Sequence, residues 1–137
     1  MYKKIILALS LEHGYSTRAL EVARRLRAED GVIQAVHVYE QPSSNVGAYL
    51  DEEILAMAYA EARARLKERV ANAPDVEPVM LKGHSGMTIA EYAASSGADL
   101  IVVGSHKPGL RDYFLGSTAA RIVRHAPCSV HVLRDAD

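Results

Sequence analysis

The sequence predicts an α/β domain with a parallel sheet covered by helices on both faces, and three observations predict it. Two unbroken apolar runs, at Lys4-Ile5-Ile6-Leu7-Ala8-Leu9 and Asp99-Leu100-Ile101-Val102-Val103-Gly104, are of the kind that strands buried on both faces require. Strand-like segments alternate with segments of helical spacing along the chain, which is the pattern of right-handed β-α-β crossovers. The 137 residues are 49 % apolar and 24 % charged, enough for one core and one domain spanning 1–137.

Lys4–Leu9 is the first strand. After the polar Glu12-His13-Gly14 turn, Ser16 or Thr17 caps a helix whose Ala19, Leu20, Ala23 and Leu26 share a face, with Arg24, Arg25 and Arg27 near its end. Gly31 is expected to stop that helix, and the β-branched run Val32–Val38 is the second strand. From Gln41 to Leu50 the composition is that of a loop, with Pro42, Ser43, Ser44, Asn45 and Gly47. Asp51, Glu52 and Glu53 then open a long helix in which Ile54, Leu55, Ala58, Ala62, Leu66 and Val70 keep helical spacing, closed by Pro74. Val76–Leu81 is the third strand, and Pro78 places it at a sheet edge because proline cannot donate to a ladder. Thr88–Ser96 is a helix ended by Gly97, and Asp99–Gly104 is the fourth strand. Ser117 or Thr118 caps a last helix carrying Ala119, Ala120, Ile122 and Val123, closed by Pro127 before the fifth strand, Ser129–Leu133.

Composition argues against several function classes. A net charge of −1 with scattered lysines and arginines lacks the positive field that nucleic-acid binders use. No apolar run approaches the roughly 20 residues that cross a bilayer, and Met1-Tyr2-Lys3-Lys4 leads into a strand without a cleavage site, so a cytoplasmic protein is expected with no membrane partner. The single cysteine, Cys128, and the scattered histidines match no disulfide framework or zinc spacing.

In open α/β sheets ligands sit beyond the carboxyl ends of the strands where the winding reverses. Gly104-Ser105-His106-Lys107-Pro108-Gly109 follows the fourth strand, and Gly116-Ser117-Thr118 begins the next helix. Glycines let the backbone approach an anion, and a helix start offers free N–H groups with partial positive charge, so this stretch suits phosphate. Ser117 and Thr118 add hydroxyls, and His106 and Lys107 add charge. The same glycines serve equally as punctuation of strand and helix ends. Neither the Walker pattern nor GxGxxG is present.

Val102-Val103-Gly104-Ser105-His106, Leu115-Gly116-Ser117 and Arg124-His125-Ala126-Pro127-Cys128-Ser129-Val130 together resemble the universal stress protein family. The likeness covers the whole chain, including the first strand, the His37-Val38 end of the second, and Gly83-His84-Ser85-Gly86, which is similar to the family's turn before its third helix. The resemblance implies a Rossmann-like, adenine nucleotide alpha hydrolase-like three-layer domain with a five-stranded parallel sheet in the order 3-2-1-4-5. It implies a nucleotide-binding stress-response or regulatory protein with little or no catalysis, holding ATP or another adenine nucleotide, with or without magnesium. Carried across, the base rests near Leu9, Ser10 and the backbone of Val38, and the ribose near Gly104. The phosphates meet His106, Lys107, Gly109, Gly116, Ser117 and Thr118. A homodimer through the last strand (Val130, His131, Val132, Leu133) is also implied, its pairing covering an otherwise open apolar edge. An unidentified regulatory protein completes the expected partners.

This chain departs from the family's ATP motif in two places. Members that bind ATP usually have Asp where Ser10 stands, and the loss of that acceptor costs on the order of 1 to 2 kcal/mol. Lys107 stands at the second glycine of the family's loop, which is one residue shorter here, and its ammonium offers a compensating charge. The Ser-His-Lys-Pro opening resembles a short-loop subgroup of which some members keep nucleotide binding. An interaction module of the same fold that has lost its nucleotide is the alternative.

The remaining residues carry blander readings. His125 suits the carbonyl end of a helix, His131 a strand surface, and His13 and His84 turns near the site. Ser10, Ser105 and Ser117 lack the Gly-x-Ser-x-Gly elbow of a hydrolase, and no acid/base pair marks a nucleotide transferase. Cys128 is expected to be a small buried group. Met57, Tyr59 and Tyr49 suit core packing or a cover over the pocket. Glu61, Arg63, Arg65, Lys67, Glu68 and Arg69 suit a solvated helix face with Glu61 spaced to Arg65.

Overall fold

A computed structural model describes residues 1–11, 17–40, 51–105 and 115–134. Among these, the chain runs β1 (Tyr2–Ala8), α1 (Thr17–Leu26), β2 (Arg27–Tyr39), α2 (Glu52–Arg69), β3 (Val76–Lys82), α3 (Ser85–Ser96), β4 (Leu100–Gly104), α4 (Ser117–His125) and β5 (Ser129–Leu133). All strand pairs are parallel and the order is β3-β2-β1-β4-β5, the arrangement the resemblance implied.

Strand alternation sorts the core into two layers. Ile5, Leu7, Ile33, Ala35, Leu100, Val102 and Leu133 point to one face, where they meet Ala19, Leu20 and Ala23 of α1 and Val70 and Ala73 just after α2. Ile6, Val36, Val38, Ile101 and Val103 point to the other, against Ile89 and Ala93 of α3 and Ala119 and Ile122 of α4. β1 from Ile5 to Ala8 and β4 from Leu100 to Val103 are therefore wholly apolar, because both their faces are covered there.

Several element ends differ from the sequence reading. Helix α1 stops at Leu26, not at Gly31, and β2 starts at once at Arg27. Its pairing with β1 jumps from Tyr2↔Arg27 to Lys4↔Val32, so Gly31 belongs to a bulge. Glycine is required there by crowding: a Cβ would stand 2.7 Å from the Arg27 Cγ and 2.8 Å from the Tyr2 carbonyl oxygen. Helix α2 ends at Arg69 with Val70 as cap, before Pro74 is reached, and is opened by the Asp51 carboxylate accepting the Glu53 N–H at 3.2 Å. Helix α3 begins at Ser85 rather than Thr88, so Ser85 and Gly86 are helical rather than part of a turn, while its end at a left-handed Gly97 is as expected. Strand β4 begins at Leu100; Asp99 stays outside because its carboxylate accepts the Lys3 and Lys4 N–H groups, both at 2.9 Å. Helix α4 is capped by Gly116, not by Ser117 or Thr118, and ends at His125 with Ala126 as cap, ahead of Pro127.

Helix α2 also breaks the expected apolar stripe. Ala62 and Leu66 are buried, but Ile54, Met57 and Ala58 are exposed, so the first two turns of the helix add no buried side chain to the core. Val123 of α4 is likewise half exposed rather than core.

Candidate functional site

The crevice predicted from the winding is visible in the ladder itself. Pairing between β1 and β4 ends at Leu7↔Val102, yet β1 continues beside β2 to Ala8↔Val36 and β4 beside β5 to Gly104↔Leu133. Beyond Leu7 and Val102 the two central strands no longer pair with each other, while each still pairs with its outer neighbour. This is the switch point of the sheet, since successive crossovers leave β1 and β4 toward opposite edges.

Leu9 and Ser10 form one lip. Leu9 is buried and its N–H donates to the Val36 oxygen at 3.0 Å; Ser10 next to it is exposed. Val38, buried, lies on the neighbouring strand. His37, which the sequence reading treated only as part of the β2 end, donates from its Nδ1–H to the Leu9 carbonyl at 3.1 Å. A carbonyl only accepts, so this contact places the proton on Nδ1 and ties the β1 tip to β2. The signal available in the sequence was a polar ring at the end of an otherwise apolar strand, and its partner is 28 residues away.

Gly104 and Ser105 form the other lip. Among the described residues, a Cβ at Gly104 would meet nothing within 4 Å. Ser105 is buried; its N–H donates to the Leu133 oxygen at 3.0 Å and its carbonyl accepts the Gly116 N–H at 2.6 Å. That second bond clips the start of α4 to the end of β4. Helix α4 is held from the side as well: a Cβ on Gly86 of α3 would stand 2.6 Å from the Arg121 Cβ, so only glycine lets the two helices meet this closely.

The start of α4 has no side-chain cap and no acidic residue in its first turn. Its first intrahelical acceptor, the Gly116 oxygen, takes the Ala120 N–H at 2.9 Å, leaving the amides of Ser117, Thr118 and Ala119 outside the helical ladder beside Gly104. Ser117 is exposed and Thr118 half-buried. The structure thus brings Leu9, Ser10, Val38, Gly104, Gly116, Ser117 and Thr118 to one edge of the sheet. His106, Lys107 and Gly109 lie outside the described residues, as do His13 and Tyr49.

A neighbouring carboxylate shapes the same edge. Glu40 accepts the Ser85 N–H at 3.2 Å and the Ser85 hydroxyl at 3.0 Å, capping α3 where His84 offers no side-chain cap. Those two bonds, first the backbone one, hold the Glu40 carboxyl below its ordinary range, with His84 and Arg121 adding positive charge nearby. Cys128 is half-buried, and burial, with Asp99 as a smaller contribution, pushes its thiol above its ordinary value, away from the reactive thiolate.

The universal stress protein family model matches residues 1–134. This chain belongs to that family. Its relatives include universal stress protein A homolog 2 of Coxiella burnetii, 32 % identical over 97 % of this chain and 95 % of that one. Universal stress protein G of Shigella flexneri is 31 % identical over 98 % of this chain and 100 % of its own. Among solved structures, the family member UspA of Lactobacillus plantarum superposes with a TM-score of 0.66 at 25 % identity, over 97 % of this chain and 98 % of that one. Three further family structures are described with ligands: one in complex with cAMP (TM-score 0.65, 19 % identity, 96 % and 97 % covered), one from Archaeoglobus fulgidus with dAMP (0.55, 22 %, 96 % and 97 %) and one from Arabidopsis thaliana with AMP (0.56, 19 %, 96 % and 91 %). Like its solved neighbours in the family, this chain has the five-stranded parallel Rossmann-like sheet.

Proposed function

We propose that this universal stress protein family member binds an adenine nucleotide in the crevice between the β1 and β4 tips and acts as a regulatory binder rather than as an enzyme. The observation that carries this reading is the parting of the two central strands beside an uncapped helix start. A flat base fits between strand tips that no longer pair, and the first-turn amides of α4, which lie outside the helical ladder, suit a phosphate. The residues pass a simple test of fit: Gly104 leaves open the volume a side chain would fill, and the first turn of α4 holds no carboxylate to repel an anion. Leu9, Ser10 and the Val38 backbone would take the base, Gly104 the ribose, and Gly116, Ser117 and Thr118 the phosphate, with His106, Lys107 and Gly109 nearby in sequence. The cAMP, dAMP and AMP complexes of family structures support an adenine ligand.

Isothermal titration of ligand-stripped protein with AMP, and with ATP in the presence and absence of magnesium, tests the proposal. Saturable binding at micromolar to millimolar concentrations is expected. No heat with any of them at millimolar concentration would overturn it. That outcome favours the second reading, an interaction module without nucleotide, for which Ser10 in the place of the family's aspartate speaks. Mass spectrometry of small molecules released from native protein separates ATP from a monophosphate.

We also propose a homodimer through β5, whose outer edge closes the sheet. Leu133 is buried in the protein's own core beside Leu100 and Val102, and Val130 and Val132 pack against the opposite core layer, so a partner strand would meet chiefly the backbone edge of β5 and the half-buried His131. Light scattering at tens of micromolar should show a dimer; a monomer would remove this part.

A further inference from the structure

Helix α2 carries Arg63 and Lys67 four residues apart, and no acid stands three or four residues from either on the helix. Their neighbours at that spacing are Tyr59, Ala60, Ala64, Leu66, Val70 and Ala71. Two like charges so placed oppose helix formation. Arg65, by contrast, has Glu61 four residues before it and Glu68 three after it. The unbalanced pair is therefore confined to one stripe, Tyr59-Arg63-Lys67, and that stripe faces the free edge of the sheet. Together with Leu66, it lines a cleft of about 250 Å³ whose other wall is Pro78 and Met80 of β3. Lys82, next on the same face of β3, adds a third cation, its Nζ 4.4 Å from the centre of the Tyr59 ring. Tyr59 is fixed in turn by an edge-on contact with Tyr39 at 5.3 Å between centres. Among the described residues, none of the three cations forms an ion pair.

We propose that this cleft between α2 and the β3 edge is a docking site for a partner protein segment bearing an apolar side chain flanked by carboxylates. The cations select acidic character, and the buried Leu66 floor with Tyr59, Pro78 and Met80 takes one apolar anchor. Capture works through side chains: Pro78 has no N–H to offer a strand added to this edge, and the charged Lys82 blunts it further. A local charge conflict kept on an otherwise regular helix is the signature of a site that sacrifices stability for binding. The site lies on the β3 edge, away from β5, and needs no nucleotide.

The test is a titration of the ¹⁵N-labelled protein with an acetylated hexapeptide of alternating glutamate and leucine, followed by amide shifts. Saturable shifts are expected at Tyr59, Arg63, Lys67, Met80 and Lys82, with at least tenfold weaker binding by the Arg63→Glu/Lys67→Glu variant. The single Arg63→Glu change replaces a repulsive helix pair by an attractive one, so it should weaken the peptide while leaving the melting temperature equal to or above wild type. Shifts absent at millimolar peptide would overturn the proposal. So would equal binding of an alternating lysine and leucine peptide, or equal binding of an all-glutamate hexapeptide, since the first removes the charge requirement and the second the anchor.

Discussion

The two ends of the sheet are built from the same five strands and held by different chemistry. At the amino end, side chains close the structure: Asp99 accepts two amides of β1, Lys4 donates from Nζ to the Ser96 carbonyl at 3.1 Å, and Tyr92 donates to the Gln34 amide oxygen at 2.8 Å. Gln34, buried, passes the chain on to Glu77 across β3 at 3.4 Å. At the carboxyl end the ties are mostly backbone, at Leu9, Ser105 and Gly116, with the His37 imidazole and the Glu40 carboxylate as side-chain additions. Satisfied side-chain networks rigidify; an edge left with backbone groups and glycine can receive a ligand. The side-chain network and the proposed nucleotide site thus lie at opposite ends of one sheet, and substitutions should separate stability from binding.

Asp99→Ala should show the largest effect on stability, about 2 kcal/mol by chemical denaturation, because two amides lose a charged acceptor, with nucleotide affinity unchanged. If affinity fell equally, the two ends would not be independent. Gly104→Val should do the reverse: a side chain filling the open lip should weaken nucleotide binding at least tenfold, about 1.4 kcal/mol, with little change in denaturation midpoint. A stability loss as large as that of Asp99→Ala would show that Gly104 serves packing instead.

His37→Leu sits between the ends in its consequences. Loss of the Nδ1–H to Leu9 contact should cost about 1 kcal/mol and loosen the β1 tip, weakening the nucleotide a few-fold. His37→Asn, whose amide N–H can take the place of Nδ1–H, should restore most of the affinity; equal losses in both variants would reduce the role of His37 to packing. The smallest effect belongs to a surface pair outside both ends. Arg24 donates twice to Asp75, at 2.9 and 2.7 Å, and these bonds lower the Asp75 carboxyl from its ordinary 3.8 to about 2. The folded value lies below the unfolded one, so the stabilisation is present above about pH 4 and lost as pH falls toward 2. The side chains are 42 % and 32 % exposed to water, which keeps the effect under about 1 kcal/mol. The gap in melting temperature between wild type and Asp75→Asn should therefore shrink between pH 5 and pH 2.5; a constant gap would contradict it.

Legibility in the sequence followed burial. Every strand was readable because apolar runs and β-branched residues report how many faces are covered, and Pro78 correctly placed β3 at an edge. Helix ends were less legible. Gly31 reads as a stop signal, but the geometry that needs glycine there is contact with Tyr2, 29 positions earlier. Ser117 and Thr118 read as caps by type, whereas the bond from Gly116 to Ser105 fixes the helix start one residue sooner. The apolar spacing of α2 suggested a core helix, but within it only Ala62 and Leu66 are buried.

The candidate site divides in the same way. Its glycines, hydroxyls and position after β4 were visible in residue types and their order, since these depend on local backbone needs. The His37 tie, the Glu40 cap, the Gly86 contact with α4 and the α2/β3 cleft were not, because each joins residues far apart in the chain whose pairing exists only once the strands have taken their order. For Gly104 to Thr118, the sequence by itself determined which groups could meet an anion. Tertiary structure alone decided that β1 and β4 stop pairing at Leu7 and Val102 and leave them a space to do so: strand pairing is a contest among neighbours, and a strand tip follows whichever neighbour still offers hydrogen bonds.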